Sequence, residues 1–221
     1  LPLQSEQDWR RLIANYYGLV SLIDAAVGRV LSVLDEQGLS QDTIVVFTSD
    51  HGDMMGAHRL FAKGVMYEEA IKVPLMIRLP HASSAPTRVS APVSQIDLVP
   101  TLLDAMGQSV PPGLPGRSRF AELSGQAFHE QDVFVEWTSP AAARAWHEEP
   151  LPHDEPVRTI ITPDGFKFNR RKHDTNELFD LGSDPAELNN LAGDSGYQEL
   201  EADLSARIDR WKEATNDPIE V

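Results

Sequence analysis

The sequence predicts an α/β fold followed by a small antiparallel sheet and a closing helix. Three observations carry this. Apolar residues recur at helical steps from Leu12 to Leu34. A β-branched run, Thr43 to Thr48, then breaks into an Asp-His-Gly corner. From Asp132 onward, short runs follow one another with tight turns between them, and a last helical pattern comes near the end. Helix, short loop and buried strand form one arm of a βαβ unit, whereas consecutive short strands form an antiparallel sheet.

Ser5, with Asp8 three residues on, has the form of an N-cap with an acidic N3 residue. Leu12, Tyr16, Val20, Ile23, Val27, Val30 and Leu34 fall on one helical face, and Gly38 is a natural stop. The Tyr16-Tyr17 pair reads as packing at a core and its rim. Thr43 to Thr48 shows no polar alternation, as in a strand buried on both faces of a parallel sheet. Val73 to Leu79 is a second strand, with Pro74 at its start where no central ladder bond is lost. These elements predict a parallel sheet flanked by helices. His81 to Pro92 reads as a loop.

Ser94 or Asp97 caps a helix through Met106, with Pro100 in its first turn, where amides lack intrahelical partners. Leu98, Leu102, Leu103 and Met106 would face inward. Val110 to Ser118 is a Pro/Gly-rich connector, and a division into residues 1–125 and 126–221 follows from it. Asp132 to Trp137, Val157 to Thr162, Phe166 to Asn169 and Glu177 to Leu181 read as short strands, with Pro163-Asp164-Gly165 as a turn. Thr138 to Pro156 reads as a long surface loop. Tyr197 to Trp211 carries helical spacing and should pack on the sheet.

Composition bounds the function. Hydrophobic residues make up 41%, enough for a real core, and no run approaches the length of a membrane span. The net charge of −15 disfavours nucleic acid as a main partner. No cysteine is present, which excludes disulfides and thiolate metal sites. The chain opens at Leu1 rather than Met and reads as part of something longer, so compartment is left open.

The chemistry gathers at the corner. Neighbours on a regular strand point to opposite faces, but at a strand end the backbone turns, and Gly52 supplies freedom for that turn. Asp50 and His51 could then share a divalent cation through an oxygen and a neutral imidazole nitrogen. Two ligands are too few for a metal, and a helix cap beside a surface histidine is the alternative reading. Lys63, before Gly64, is placed to clamp a tetrahedral oxyanion, and His58 could donate to that oxyanion or protonate a leaving group. Asp53, Arg59, Glu68 and Glu69 read as supporting or structural, with Glu68 and Glu69 opening a short helix. His147 and His153, in the long loop, read as exposed.

The stretch from Tyr16 to Pro80, with TSDHGDMMGAHRLFAKG at its centre, resembles the latter half of the catalytic domain of type I sulfatases. These belong to the alkaline-phosphatase superfamily. QIDLVPTLLDAMG resembles the helix that follows, and ELFDLGSDPAELNNLAG resembles the carboxy-terminal segment of bacterial sulfatases. The resemblance implies an alkaline-phosphatase-like fold, a mixed, mostly parallel sheet flanked by helices and present only in part, with residues 1–125 as part of the catalytic domain and 126–221 as a carboxy-terminal subdomain. It implies sulfate-ester hydrolysis, of a small molecule or a sulfated glycan, with one divalent metal. Ca²⁺ is the first choice, with Mg²⁺ and Mn²⁺ as alternatives because His51 stands where many members have Asn. Asp50 and His51 match metal ligands. Lys63 matches the lysine that holds the sulfate, and His58 matches a histidine of some subfamilies.

The resemblance also implies what is missing. Sulfatases use a formylglycine made from Cys or Ser in a Cys/Ser-x-Pro/Ala-x-Arg motif near the amino terminus. Here the Ser-initiated stretches SSAPT, SAPVS and SVPPG read as lacking that arginine, and they lie in loops after the metal corner. The nucleophile, two further metal-binding aspartates and another histidine are therefore expected in an amino-terminal half outside this chain, which alone would be inactive. Two other readings stay open: a related phosphonate monoester or phosphodiester hydrolase, and a non-catalytic stand-alone module. Homo-oligomerisation also stays open.

Overall fold

The computed structural model describes residues 5–81, 88–138 and 155–221. His147, His153 and residues 139–154 of the expected long loop lie outside the described residues. The chain divides into two compact units, Leu1–Lys63 with Lys72–Pro86, and Gly64–Ile71 with Thr87–Val221.

In the first unit, α1 spans Glu6–Glu36. The Ser5 hydroxyl accepts from Asp8 N–H while the Asp8 carboxylate accepts from Ser5 N–H, so a full capping box starts the helix. Gly38, with φ 69°, ends it. No residue of α1 is buried, and Tyr17, Leu19, Leu22, Ile23, Val30 and Val33 are exposed. The expected core packing of Tyr16-Tyr17 is thus not met among the described residues. By length and composition alone α1 could also cross a membrane, with mean hydropathy 1.6. A helix apolar on most of its circumference is one that a core or a membrane would cover.

Two strands follow, β1 (Val45–Thr48) and β2 (Leu75–Arg78), which pair antiparallel from Val45 opposite Arg78 to Thr48 opposite Leu75. The α/β class holds, but this pair is antiparallel and only half buried, where the apolar run suggested a doubly buried parallel strand. A β-branched run records that a strand is covered and is silent on the direction of its neighbour.

The second unit opens with α2 (Glu68–Ile71). A 3-10 turn, Gln95–Asp97, leads into α3 (Leu98–Ala105), with Pro100 in its first turn. Its buried residues are Pro100 and Thr101, whereas Met106, expected inside, is exposed. Asp97 makes no side-chain cap bond. Its carboxylate instead takes the Arg119 guanidinium at 2.7 Å and Arg117 N–H at 3.0 Å, both Asp97 and Arg119 being buried. A short α4 (Phe120–Leu123) follows.

Strands β3 (Val133–Trp137), β4 (Val157–Ile161), β5 (Phe166–Arg171) and β6 (Glu177–Asp180) form an antiparallel sheet in chain order. Gly165 turns β4 into β5 with φ 92°. Helix α5 (Gln198–Thr215) covers one face. There Ile160, Phe168 and Leu178 pack with Leu204 and Ile208, all fully buried. Each such side chain stabilises the fold by about 1.5–3 kcal/mol relative to exposure. Because strand side chains alternate, Thr159, Lys167, Asn169 and Phe179 point to the opposite face, and they too are buried.

Candidate functional site

The corner is built by local hydrogen bonds at the end of β1. Asp50 Oδ1 accepts from His51 N–H at 2.9 Å, and Ser49 Oγ donates to His51 O at 2.9 Å. These bonds turn the chain, so that two neighbours meant for opposite sides of a strand converge: His51 Nε2 lies 3.4 Å from Asp50 Oδ2. The His51 N–H is also the leading reason the Asp50 carboxyl is held below the usual carboxylate range.

The imidazole is oriented from behind. His51 Nδ1 lies 2.7 Å from Gly52 O. A carbonyl only accepts, so Nδ1 carries the proton and Nε2 presents a lone pair. That lone pair faces Lys63 Nζ at 2.7 Å. Asp50, His51 and Lys63 therefore meet. His58 lies on a 3-10 turn, Ala57–Arg59, with φ 50°.

The loop from His51 to Lys63 is bent hard. Met55, His58, Arg59 and Ala62 all have positive φ, between 42° and 60°. Left-handed non-glycine residues each cost of order 1–3 kcal/mol, and such strain collects at functional sites. Met54 N–H to Ala62 O at 2.8 Å and Gly56 N–H to Leu60 O at 2.9 Å hold the bend closed. Trp9 stacks on Phe61, centroids 4.8 Å apart. The Trp9 ring comes so close to Gly56 that a Cβ there would stand 2.5 Å from it. Asp53 is structural, its Oδ1 accepting from Met55 N–H at 2.9 Å. Nothing in the local pattern around Trp9 announced this packing, which joins residues far apart in sequence.

An ionised carboxylate beside a neutral imidazole nitrogen fits two positions in the coordination shell of a divalent cation, and the Nδ1–carbonyl bond is the usual support for a ligating histidine. Among the described residues no group of three or more His, Asp and Glu side chains gathers to complete such a shell. Lys63 brings a third kind of group, a mobile cation able to pair with an oxyanion.

The expectation that every serine stretch lacks the arginine fails for one of them, which carries the full spacing of the formylglycine motif once its register starts at Ser84. Ser84-Ala85-Pro86-Thr87-Arg88 reads Ser-x-Pro-x-Arg, but it follows β2 instead of preceding β1, and Ser84 lies outside the described residues.

Sequence reasoning also missed the segment just after Lys63. Val65, Met66 and Ala70 are buried, and Lys167 of β5 donates to the Met66 carbonyl. Tyr67 stands 3.4 Å from Glu177, and burial first, then that carboxylate, pushes its hydroxyl up to about 12.

A model of the Sulfatase family matches residues 2–108, and one of the carboxy-terminal part of N-sulphoglucosamine sulphohydrolase matches residues 56–214. The chain is 32% identical to an N-acetylglucosamine-6-O-sulfatase of Bacteroides thetaiotaomicron, over 96% of this chain and 38% of that protein. It superposes with a TM-score of 0.84 and 29% identity on a protein solved with its substrate D-glucosamine-2-N,6-O-disulfate, covering 98% of this chain and 44% of that one. It superposes with a TM-score of 0.82 and 29% identity on a phosphonate monoester hydrolase of Agrobacterium radiobacter, covering 95% and 43%. The chain thus spans about two fifths of the length of the relatives it matches.

Proposed function

The chain belongs to the sulfatase family of the alkaline-phosphatase superfamily, and on that premise we propose that it forms the carboxy-terminal part of an enzyme that hydrolyses sulfate esters. In this reading residues 1–125 complete the catalytic domain and residues 126–221 form a subdomain. The observation that carries it is the convergence of Lys63 on His51 beside Asp50 at the end of β1.

The roles follow from the chemistry of each group. Asp50 Oδ and His51 Nε2 hold one divalent cation, Ca²⁺ in the first instance, together with ligands from outside this chain. When bound, the cation supplies positive charge against the sulfate oxygens. Lys63 Nζ, exchanging its bond to His51 for one to the substrate, pairs with a sulfate oxygen and stabilises charge that develops as the S–O bond breaks. His58 protonates the departing alcohol oxygen or donates to the sulfate. The nucleophile comes from the amino-terminal part, so the isolated chain is inactive. The apolar surface that α1 leaves exposed supports this division, since the rest of a sulfatase fold would cover it. A sulfated sugar is the favoured substrate class, because one matched relative is an N-acetylglucosamine-6-O-sulfatase and one matched structure holds D-glucosamine-2-N,6-O-disulfate.

Likeness to a phosphonate monoester hydrolase favours a second reading, the same corner acting on phosphonate esters. Turnover of an aryl sulfate against an aryl phosphonate by the complete enzyme separates the two. Sulfate turnover in excess supports the sulfatase, and phosphonate turnover dominant by orders of magnitude overturns it.

A further inference from the structure

Lys167 sits fully buried in the middle of β5, and Glu187, also buried, pairs with it from a backbone held at φ 52°. Burial pushes the Glu187 carboxyl up while the neighbouring ammonium opposes it. A buried ion pair is a weak source of stability, because desolvation offsets most of the attraction. What this pair holds is one short segment, residues 64–71. Lys167 Nζ donates to Met66 O at 2.7 Å and lies 3.4 Å from a Glu68 carboxylate oxygen. Glu187 Oε2 accepts from Glu68 N–H at 2.6 Å. The Tyr67 hydroxyl reaches Glu177. At the head of the segment Gly64, with φ 99°, lies against the Trp137 ring, where a Cβ would stand 3.3 Å from Cζ2. The residue bonded to Gly64 is Lys63.

We propose that Lys167 and Glu187 are positioning residues for Lys63: they clamp the arm Gly64–Ile71 to the polar face of the β3–β6 sheet and so limit where the lysine at its head can reach. The inference rests on the sulfate-binding reading of Lys63. It gives the carboxy-terminal sheet a role in catalysis, exerted through the segment that leads to Lys63. Helix α5 on one face supplies packing, and the ion pair on the other supplies alignment.

Hydrogen exchange on the chain, with peptides covering 61–71 and 198–208, tests the clamp. The variants are Lys167→Met and the double change Lys167→Met with Glu187→Gln, the second removing both charges so that neither is left buried alone. The double variant is expected to keep a melting temperature near wild type while exchange in 61–71 rises about tenfold and 198–208 stays within about twofold. Parallel loss of protection on both faces, or no change on either, overturns the proposal. In the complete enzyme the double variant is expected to lower kcat for an aryl sulfate about tenfold, and to add no further loss on a Lys63→Ala background. A loss that persists undiminished without Lys63 overturns the positioning role. A silent Lys63→Ala would instead remove the sulfate reading, and the exchange result would still decide the clamp.

Discussion

Lys63 Nζ donates to His51 Nε2 across 2.7 Å, so the flexible cation of the corner rests on the ring nitrogen that the Gly52 carbonyl leaves free. In the proposed enzyme this contact is a resting arrangement: the ammonium would turn to the sulfate and leave the His51 lone pair free to help hold a metal. Lys63→Ala in the complete enzyme should therefore lower kcat/KM for an aryl sulfate by about 10²–10³-fold. Its side chain is exposed, so the melting temperature should barely move. A melting-temperature loss as large as that of a core substitution such as Leu204→Ala, about 2–5 kcal/mol, would make the lysine structural.

The bend that carries Lys63 depends on the fit between Gly56 and Trp9. Gly56→Ala places a Cβ 2.5 Å from the Trp9 ring at a φ of 101°. The ring must move, and its stack on Phe61 goes with it. The expected cost is about 1–3 kcal/mol, read by chemical denaturation, with a blue- or red-shifted Trp9 emission. Unchanged stability and emission would show that the loop does not rely on this packing.

The Arg158–Asp217 pair sets an acid limit for the second unit. Arg158 is buried and donates to both Asp217 oxygens, at 2.7 and 2.9 Å. The hydrogen bonds from that guanidinium hold the Asp217 carboxyl below its usual range. With the folded value depressed, the contribution is fully present above the ordinary carboxylate value of about 3.9 and is lost as pH falls through the folded value. Asp217→Asn should remove about 2–3 kcal/mol at neutral pH and flatten the fall of melting temperature between pH 4 and pH 2. A variant whose melting temperature falls as steeply as wild type over that range contradicts the assignment.

Ser84 begins a Ser-x-Pro-x-Arg stretch yet lies after the corner in sequence. With the nucleophile in the amino-terminal part, Ser84 should remain serine. Peptide mass spectrometry after co-expression with a formylglycine-generating system checks this. Loss of two hydrogens from the Ser84 peptide would place a reactive aldehyde in this chain and overturn its predicted inactivity.

What could be read before the structure was chiefly local. Ser5 and Asp8 announce a capping box because both partners lie within one turn. The strands β3 to β6 follow from alternation and from the Gly165 turn, and antiparallel neighbours in chain order need no long-range information. Asp50, His51 and Lys63 were legible as residue types around a strand end. Less legible were relations between distant positions. The direction in which β2 meets β1 is set by chain tracing, not by the β-branched run. Asp97 has the form of a helix cap, but the distant Arg119 claims its carboxylate. Lys167 looks like an ordinary strand lysine on the wet side of an amphipathic sheet, and only the packing of residues 64–71 over that side makes it buried. A sequence pattern marks two faces of a strand as apolar and polar, and does not say whether the polar one is covered.

The most direct test of the central claim is aryl sulfate hydrolysis by this chain alone and after co-expression with the amino-terminal part of the same enzyme matured to formylglycine. The account predicts no turnover from the chain alone, turnover from the assembled pair, and loss of that turnover with Lys63→Ala. Sulfate hydrolysis by the isolated chain, or full activity of the pair carrying Lys63→Ala, would contradict it.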